Sequence, residues 1–553
     1  MNNLKNLKEV LQKLKIEFLL LPNSDEFNSE YLPEYAKRLE FITGFTGSNA
    51  FAIISQNKSS FFTDGRYTLQ AASQVNDKDF DIFNLSKKLP LDWLKENVQD
   101  KKIGFDPRLH TIKQIQKYRE IFGNNLIYLP ENPVDEIWEN QPQPPKTEIF
   151  NHDLKYCGES SESKISKITK NLNESEAILL TDPASICWLL NIRASDVQCT
   201  PLHLTFAIIF KNGEFELFKN QLPKVSAKIK IIQTDFSNAN FWLSEEFSKL
   251  GIDVENQIDP CLILKALKND VEIENAIKTH EIDGCALTRF LFWLNNNQEI
   301  DELTASQKLL EFRQENKSFI YPSFETIAGF GSNGAIIHYQ VNEETNKKFE
   351  GNSLFLVDSG GQYLGGTTDV TRTVAIGEPT SDMIGDFTRV LKGHIAIARA
   401  KFPLGTKGCE LDILARFHLW QAKKDYAHGT GHGVGSFSGV HEAPPSISKR
   451  SDGIALQAGM ILSNEPGYYE VGKYGIRIEN LMRVIDLGDG FLGFETLTCA
   501  PLDPKLIDFK MMTYPEKKWL SNYHQEIYKK LKDILVEDEK HWLINLIKNN
   551  YSL

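Results

Sequence analysis

No helix and no central strand can run through Gln141-Pro142-Gln143-Pro144-Pro145. Each proline removes a backbone donor and fixes φ, so the run reads as an extended linker. It interrupts a chain of 553 residues, already more than one core usually organises. A softer boundary lies near Leu267, where a long helical pattern begins and runs from Val271 to Leu294. The chain therefore reads as three domains, residues 1–150, 151–266 and 267–553.

The first two domains resemble each other in pattern. Each opens on a helix pattern, Leu4–Leu14 or Ile165–Leu172, followed by a short apolar strand, Phe18–Leu21 or Ala177–Leu180. Each then offers an apolar stretch leading into small residues, Phe41-Ile42-Thr43-Gly44 or Trp188-Leu189-Leu190-Asn191. Helix and strand patterns keep alternating, as in α/β domains, so two related α/β domains are expected. The third domain mixes helix patterns (Ser381–Lys401, Glu410–Lys423) with strand-like stretches such as Leu354–Val357 and Gly459–Leu462, an α+β character. Ser381 is the expected cap of the first of those helices. Charged helical sequence fills the region from Pro515 to the end.

Several function classes drop out. A formal net charge of -12, from 74 acidic and 62 basic residues, leaves no electrostatic footprint for nucleic acid. The N-terminal amphipathic pattern lacks the continuous apolar core of a signal peptide. No apolar run reaches the roughly 20 residues that span a bilayer. Seven cysteines, scattered from Cys157 to Cys499 without close pairs, read as reduced thiols of a cytoplasmic protein. The glycine-rich stretches lack the spacing and the Lys-Ser/Thr ending of a phosphate-binding loop.

The unusual chemistry sits in the third domain. Asp358 follows the apolar run Leu354-Phe355-Leu356-Val357, and Asp369 lies in the β-branched Thr367-Thr368-Asp369-Val370-Thr371. Between them, Ser359 to Gly366 is rich in glycine, which predicts a β-hairpin that brings both carboxylates to one spot. Burying an ionised carboxylate is costly unless it is paired or bound to a metal. His432 lies in the glycine-rich stretch His428 to Gly435, Glu465 ends the strand-like run from Gly459, and Glu479 shares a strand face with Arg477 by alternation. Any one of these residues alone reads as the solvated end of a strand or an ordinary turn. Four carboxylates and one imidazole together suit two divalent cations, Mn²⁺ first, with Co²⁺ or Zn²⁺ as substitutes. Two ions roughly 3.5–4 Å apart can hold a bridging hydroxide and polarise a carbonyl.

The order Asp358, Asp369, His432, Glu465, Glu479 resembles that of the pita-bread metallopeptidases, which include methionine aminopeptidase, prolidase and aminopeptidase P. The likeness is nearest to the long, three-domain aminopeptidase P group. It rests on Val357-Asp358-Ser359-Gly360, Gly366 to Thr373, His428 to Ser436, Asn464-Glu465-Pro466-Gly467-Tyr468-Tyr469 and Gly475 to Asn480. Asn333 to Tyr339 and Val440-His441-Glu442 look like the group's two further histidine motifs. Thr63 to Tyr67 and Arg193 to Val197 are similar to its N-terminal domains. Ala443 departs from an expected glycine.

The resemblance implies a metal-dependent exopeptidase that attacks the N-terminal Xaa-Pro bond with a metal-bridging hydroxide. The five residues would be the ligands, with Asp369 and Glu479 bridging and Glu465 also handling the water's proton. His338, His428 and His441 would line the groove, the first and last stabilising the tetrahedral intermediate or binding backbone carbonyls near the scissile bond. Tyr469 and His428 would wall the proline pocket, and Arg477, also counted among the substrate-binding residues, would hold carboxylates around the metals in place. Peptides with proline in second position are the implied substrates, and a homodimer the implied assembly. Prolidase, restricted to Xaa-Pro dipeptides, and a metal-free peptide-binding relative are the alternatives. His394, His418, His524 and His541 read as helix residues without a catalytic role, and Cys409 and Cys499 as packing residues.

Overall fold

The computed structural model describes residues 2–297, 299–450 and 453–548. The chain gathers into two compact units, one of residues 1–151, 159–198 and 202–262, the other of 152–158, 199–201 and 263–553.

The first unit holds two mixed sheets built on one plan. In the first sheet, Phe18–Pro22 has the antiparallel strands Ala50–Ser55 and Ser59–Thr63 on one side and the parallel strands Ile103–Phe105 and Leu126–Tyr128 on the other. Phe80–Asn84 completes the hairpin side. In the second sheet, Glu176–Leu180 sits between the antiparallel Phe206–Phe210 and Phe215–Phe218 and the parallel Ile231–Thr234 and Asp253–Asn256. Each central strand follows a helix, Asn2–Leu14 or Ser161–Thr169. Leu4, Leu7 and Leu11 of the first helix pack with Leu19, Leu21 and Ile54, so its apolar face is covered. The stretches leading into small residues are helix ends: Arg38–Thr43 closes on Gly44 and Pro183–Leu190 on Asn191, both left-handed. Residues 141–149, with the proline run, form neither helix nor strand.

The second unit contains the helix Asp270–Asn296, which starts with a reciprocal cap between Asn269 and Glu272. A three-stranded antiparallel sheet orders Ile327–Phe330, Ser353–Ser359 and Val370–Ile376. A six-stranded sheet orders Lys401–Pro403, Phe491–Thr496, Asn480–Gly488, Ile461–Asn464, Gly431–Gly433 and Glu442–Ile447. Helices Ser381–Ala398 and Tyr514–Leu531 share a core with the strands through Phe387, Leu391, Ile476 and Leu520. Gly408–Trp420 packs Leu411 and Ala415 with Leu462 and Met482.

Two details differ from expectation. Thr380, not Ser381, caps its helix, accepting from Met383 N–H at 3.3 Å. That helix stops at Ala398 because Lys401–Pro403 joins a sheet edge, with Phe402 opposite Leu492. Helices Tyr514–Leu531 and Glu537–Lys548 occupy the charged C-terminal region, and residues 549–553 lie outside the described part.

Candidate metal centre

The stretch between Asp358 and Asp369 is a hairpin. Ser353–Ser359 and Val370–Ile376 pair with Asp358 opposite Thr371, and Gln362 faces Thr367 nearer the turn. Asp369 immediately precedes the second strand, and Glu465 directly follows Ile461–Asn464. Glu479 departs from the single strand expected around it. Tyr474–Arg477 pairs with Gly467–Glu470, whereas Asn480–Gly488 belongs to the six-stranded sheet. Glu479 thus sits where the chain passes between sheets, its N–H donating to Thr371 O at 3.2 Å. His432 lies in Gly431–Gly433. A Cβ at Gly431 would stand 2.1 Å from Ser463 O, and one at Gly433 2.2 Å from Glu442 O, so only glycine lets the neighbouring backbone come this close.

These elements bring the donor atoms of Asp369, His432 and Glu479 within 4.8 Å of one another. His432 Nε2 is 3.4 Å from Asp369 Oδ2 and 3.4 Å from Glu465 Oε1. Its Nδ1 lies 3.0 Å from Gly433 O. A proton on Nδ1 satisfies that carbonyl, so Nε2, aimed at the carboxylates, carries either a proton shared with Asp369 or, in the neutral tautomer, the lone pair a metal ligand needs. Asp358 Oδ2 accepts from Arg477 Nη2 at 2.5 Å, while Asp358 Oδ1 is buried with no hydrogen-bond partner among the described residues. An unpartnered carboxylate oxygen in the interior is costly, and a cation ligand is the role that suits it.

The electrostatics agree. Burial, with Asp369 and Glu465 adding to it and Arg477 opposing it, raises Asp358 to about 6. Burial also raises Glu465, and raises Glu479 well above the carboxylate range, where Asp369, Asp358 and Glu465 reinforce it. Burial pulls His432 down, but the hydrogen bond to Asp369 and the charges of Glu465 and Asp369 outweigh it and hold it at about 9. Four crowded carboxylates collect positive charge, as protons or as metal ions. The donor set fits a pair of divalent cations.

Around this centre stand the other candidate residues. His428 Nε2 is 2.8 Å from Tyr469 Oη, and its Nδ1 is 2.6 Å from Gly429 O and 3.9 Å from Glu465 Oε2. The His441 ring stands edge-on to that of His432, centroids 4.3 Å apart. Arg477 is buried and donates to Asp358, to Tyr469 Oη at 2.7 Å and to Thr371 Oγ1 at 3.1 Å. His338 is half-buried in a turn closed by Tyr339 N–H on Ile336 O at 3.1 Å. The carbonyl of its neighbour Ile337 is 3.5 Å from Arg477 Nη1.

Three further residues escaped the sequence reading. Thr371 Oγ1 donates to Glu479 Oε2 at 2.7 Å while accepting from Arg477 Nε. Its place two residues after Asp369 on an alternating strand was an available signal. Arg416, buried on Gly408–Trp420, donates to Asp412, Tyr426 O and His428 O at 2.7–2.8 Å, pinning the loop that carries His428. His394 lies behind the centre, its Nδ1 3.1 Å from Asn464 O and its Nε2 3.2 Å from Asn480 Nδ2, next to Glu465 and Glu479 in sequence. No local pattern reveals either of these two.

Residues 274–486 match metallopeptidase family M24, and 490–549 match the C-terminal region of that family. Residues 3–136 and 140–231 match creatinase/prolidase N-terminal domains. Over 98% of its length the chain is 35% identical to a protein named "Probable Xaa-Pro aminopeptidase P" from Coccidioides posadasii (strain RMSCC 757 / Silveira), covering 98% of that relative. The chain belongs to metallopeptidase family M24. Another M24 relative, of the same name from Laccaria bicolor, is 37% identical over 98% of the chain and 92% of its own length. A solved structure, the X-prolyl aminopeptidase of Caenorhabditis elegans, described as a cytosolic enzyme with a di-nuclear active site, is similar with a TM-score of 0.92. It shares 31% identity and covers 99% of both chains. The M24 unit is a pita-bread fold, preceded by creatinase-type α/β domains.

Proposed function

We propose that this M24 protein is a Xaa-Pro aminopeptidase, releasing the first residue of peptides whose second residue is proline. One observation carries the reading: the Asp369–His432–Glu479 group, with both carboxylates buried, beside Asp358 and Glu465, in a chain aligned over 98% of its length with relatives of that name. In this reading Asp358, Asp369, His432, Glu465 and Glu479 would hold two divalent ions, and Asp369 and Glu479 would serve both. Oxygen-rich ligation with one imidazole favours Mn²⁺ over Co²⁺ or Zn²⁺. When bound, the pair supplies Lewis-acid polarisation of the scissile carbonyl and an acidified water.

The protein's own groups do the rest. An Xaa-Pro bond is a tertiary amide without an N–H, so recognition falls on the ring and on the free α-amine, which Asp358 faces. Tyr469 and His428, already hydrogen-bonded to each other, wall the proline ring, and Arg477 shapes that pocket by holding Tyr469 and Asp358. Glu465 takes the proton of the attacking water and returns it to the proline nitrogen, which leaves as a secondary amine. His338 and His441 donate to the oxygen that becomes negative during attack.

We read the enzyme further as a cytoplasmic homodimer of three-domain chains divided near residues 150 and 266. Ile413, Leu414, Phe417 and Trp420 form an exposed apolar stripe on Gly408–Trp420, a surface suited to a second copy. Among the described residues no helix is long and apolar enough to cross a membrane. A peptide panel with Mn²⁺ tests the activity. Xaa-Pro-Xaa should be cut at least as well as Xaa-Pro, Xaa-Ala-Xaa poorly, and chelator should abolish turnover. Strict preference for dipeptides hands the assignment to prolidase, and protein that takes up no metal and hydrolyses nothing hands it to a metal-free peptide-binding relative.

A further inference from the structure

One side chain gathers the loop that carries His338. Glu302, the first residue of the helix Glu302–Gln314, is 0% exposed. Among the described residues no cation pairs with its carboxylate; four donors of one loop converge on it instead. They are Phe330 N at 2.6 Å, Asn333 Nδ2 at 3.0 Å, Tyr339 Oη at 3.0 Å and Lys347 N at 3.0 Å. A buried carboxylate is stable only while such donors stay in place, so it and the loop hold each other. The two ends and the middle of residues 330–347 are thereby fixed to one point of the core.

His338 sits between two anchored neighbours. Tyr339 is tied through its hydroxyl to Glu302. Ile337 lies with its carbonyl against Arg477, which also holds Asp358. The imidazole is therefore suspended between the Glu302 anchor and a side chain of the metal centre.

We propose that Glu302 is a positioning residue for Xaa-Pro cleavage, fixing the 330–347 loop so that His338 meets the oxygen of the scissile carbonyl. This rests on the role of His338 proposed above. Glu302 touches neither substrate nor metal; it acts through the geometry of the loop. Such geometry is worth much in rate, because a misplacement near 1 Å can cost on the order of 10²-fold.

The test is a double-mutant cycle on the Mn²⁺-loaded full chain. Glu302→Gln keeps the shape but turns an amide donor towards groups that themselves donate. We expect kcat on Xaa-Pro-Xaa to fall on the order of 10²-fold, with KM and metal content by elemental analysis nearly unchanged. Glu302→Asp, which keeps the charge, should recover part of the loss. His338→Ala should be slow by itself, and adding Glu302→Gln should slow it no further, since both act through one imidazole. Multiplying losses overturn the proposal, as does a normal kcat in Glu302→Gln beside a slow His338→Ala. A normal kcat in His338→Ala instead overturns the role of His338 itself. If Glu302→Gln fails to fold or loads less metal, Tyr339→Phe removes only one strut, takes its place in the cycle and is read by the same criteria.

Discussion

Replacing Thr371 with valine tests the metal centre without touching any proposed ligand. Valine has nearly the volume of threonine but no hydroxyl. Glu479 Oε2 would lose a donor at 2.7 Å and Arg477 Nε an acceptor at 3.1 Å, at a position with 0% exposure where water cannot substitute. A hydrogen bond to a charged group is worth about 1.5–3 kcal/mol. At about 1.4 kcal/mol per decade that is roughly 10–100-fold in an equilibrium constant, the range typical of groups that orient metal ligands. If the hydroxyl orients Glu479, the loss falls on cation affinity. Competition against a chromophoric chelator for Mn²⁺ measures it, with Thr371→Ser as the control that keeps the hydroxyl and should stay near wild type. A thermal melt of the metal-free protein reads the unpaired Arg477 Nε separately. Valine with unchanged Mn²⁺ affinity would refute the orienting role, even if the melt shifts.

Two other outcomes are expected. Asp369→Ala should lower the metal content while leaving the melting of the first unit unmoved, because that unit has cores of its own; full occupancy by elemental analysis would sink the ligand assignment. His524 is held at about 3 by burial and by the Arg372 charge, and its Nε2 accepts from Leu502 N–H at 3.0 Å. A folded pKa below the unfolded value near 6.5 adds stability that is complete above pH 6.5 and is lost as pH falls towards 3. Relative to wild type, His524→Gln should therefore gain about 2 kcal/mol between pH 6.5 and 5, read as a shift in the gap between the two melting curves. A gap that does not move with pH would contradict the buried neutral imidazole.

The centre was legible where chemistry clashed with local context. Asp358 behind four apolar residues, and Asp369 among β-branched ones, have no inexpensive local explanation. The glycine-rich turn between them supplied the means to bring them together. Glu479 shows the limit of periodicity. Alternation of Arg477 and Glu479 is equally compatible with one strand and with a chain crossing between two sheets, and the crossing is what occurs. Thr380 and Ser381 are adjacent residues of nearly equal capping tendency, so composition alone does not choose between them.

The residues that stayed hidden share the opposite property: each is ordinary in its own neighbourhood. Asp412 and Arg416, four apart on a helix, look like a solvated pair; packing buries both and turns Arg416 onto the backbone of the His428 loop. Glu302 in a first helical turn looks like a complement to the helix dipole. Only its burial turns an ordinary acid into an anomaly, since a carboxylate with no water must find donors elsewhere. The donors it finds all belong to the loop of His338. Local anomaly thus marks the groups proposed to meet metal and substrate, whereas anomaly created by burial marks the groups that hold them. That is why Glu302 and Arg416 surface only once the chain is folded.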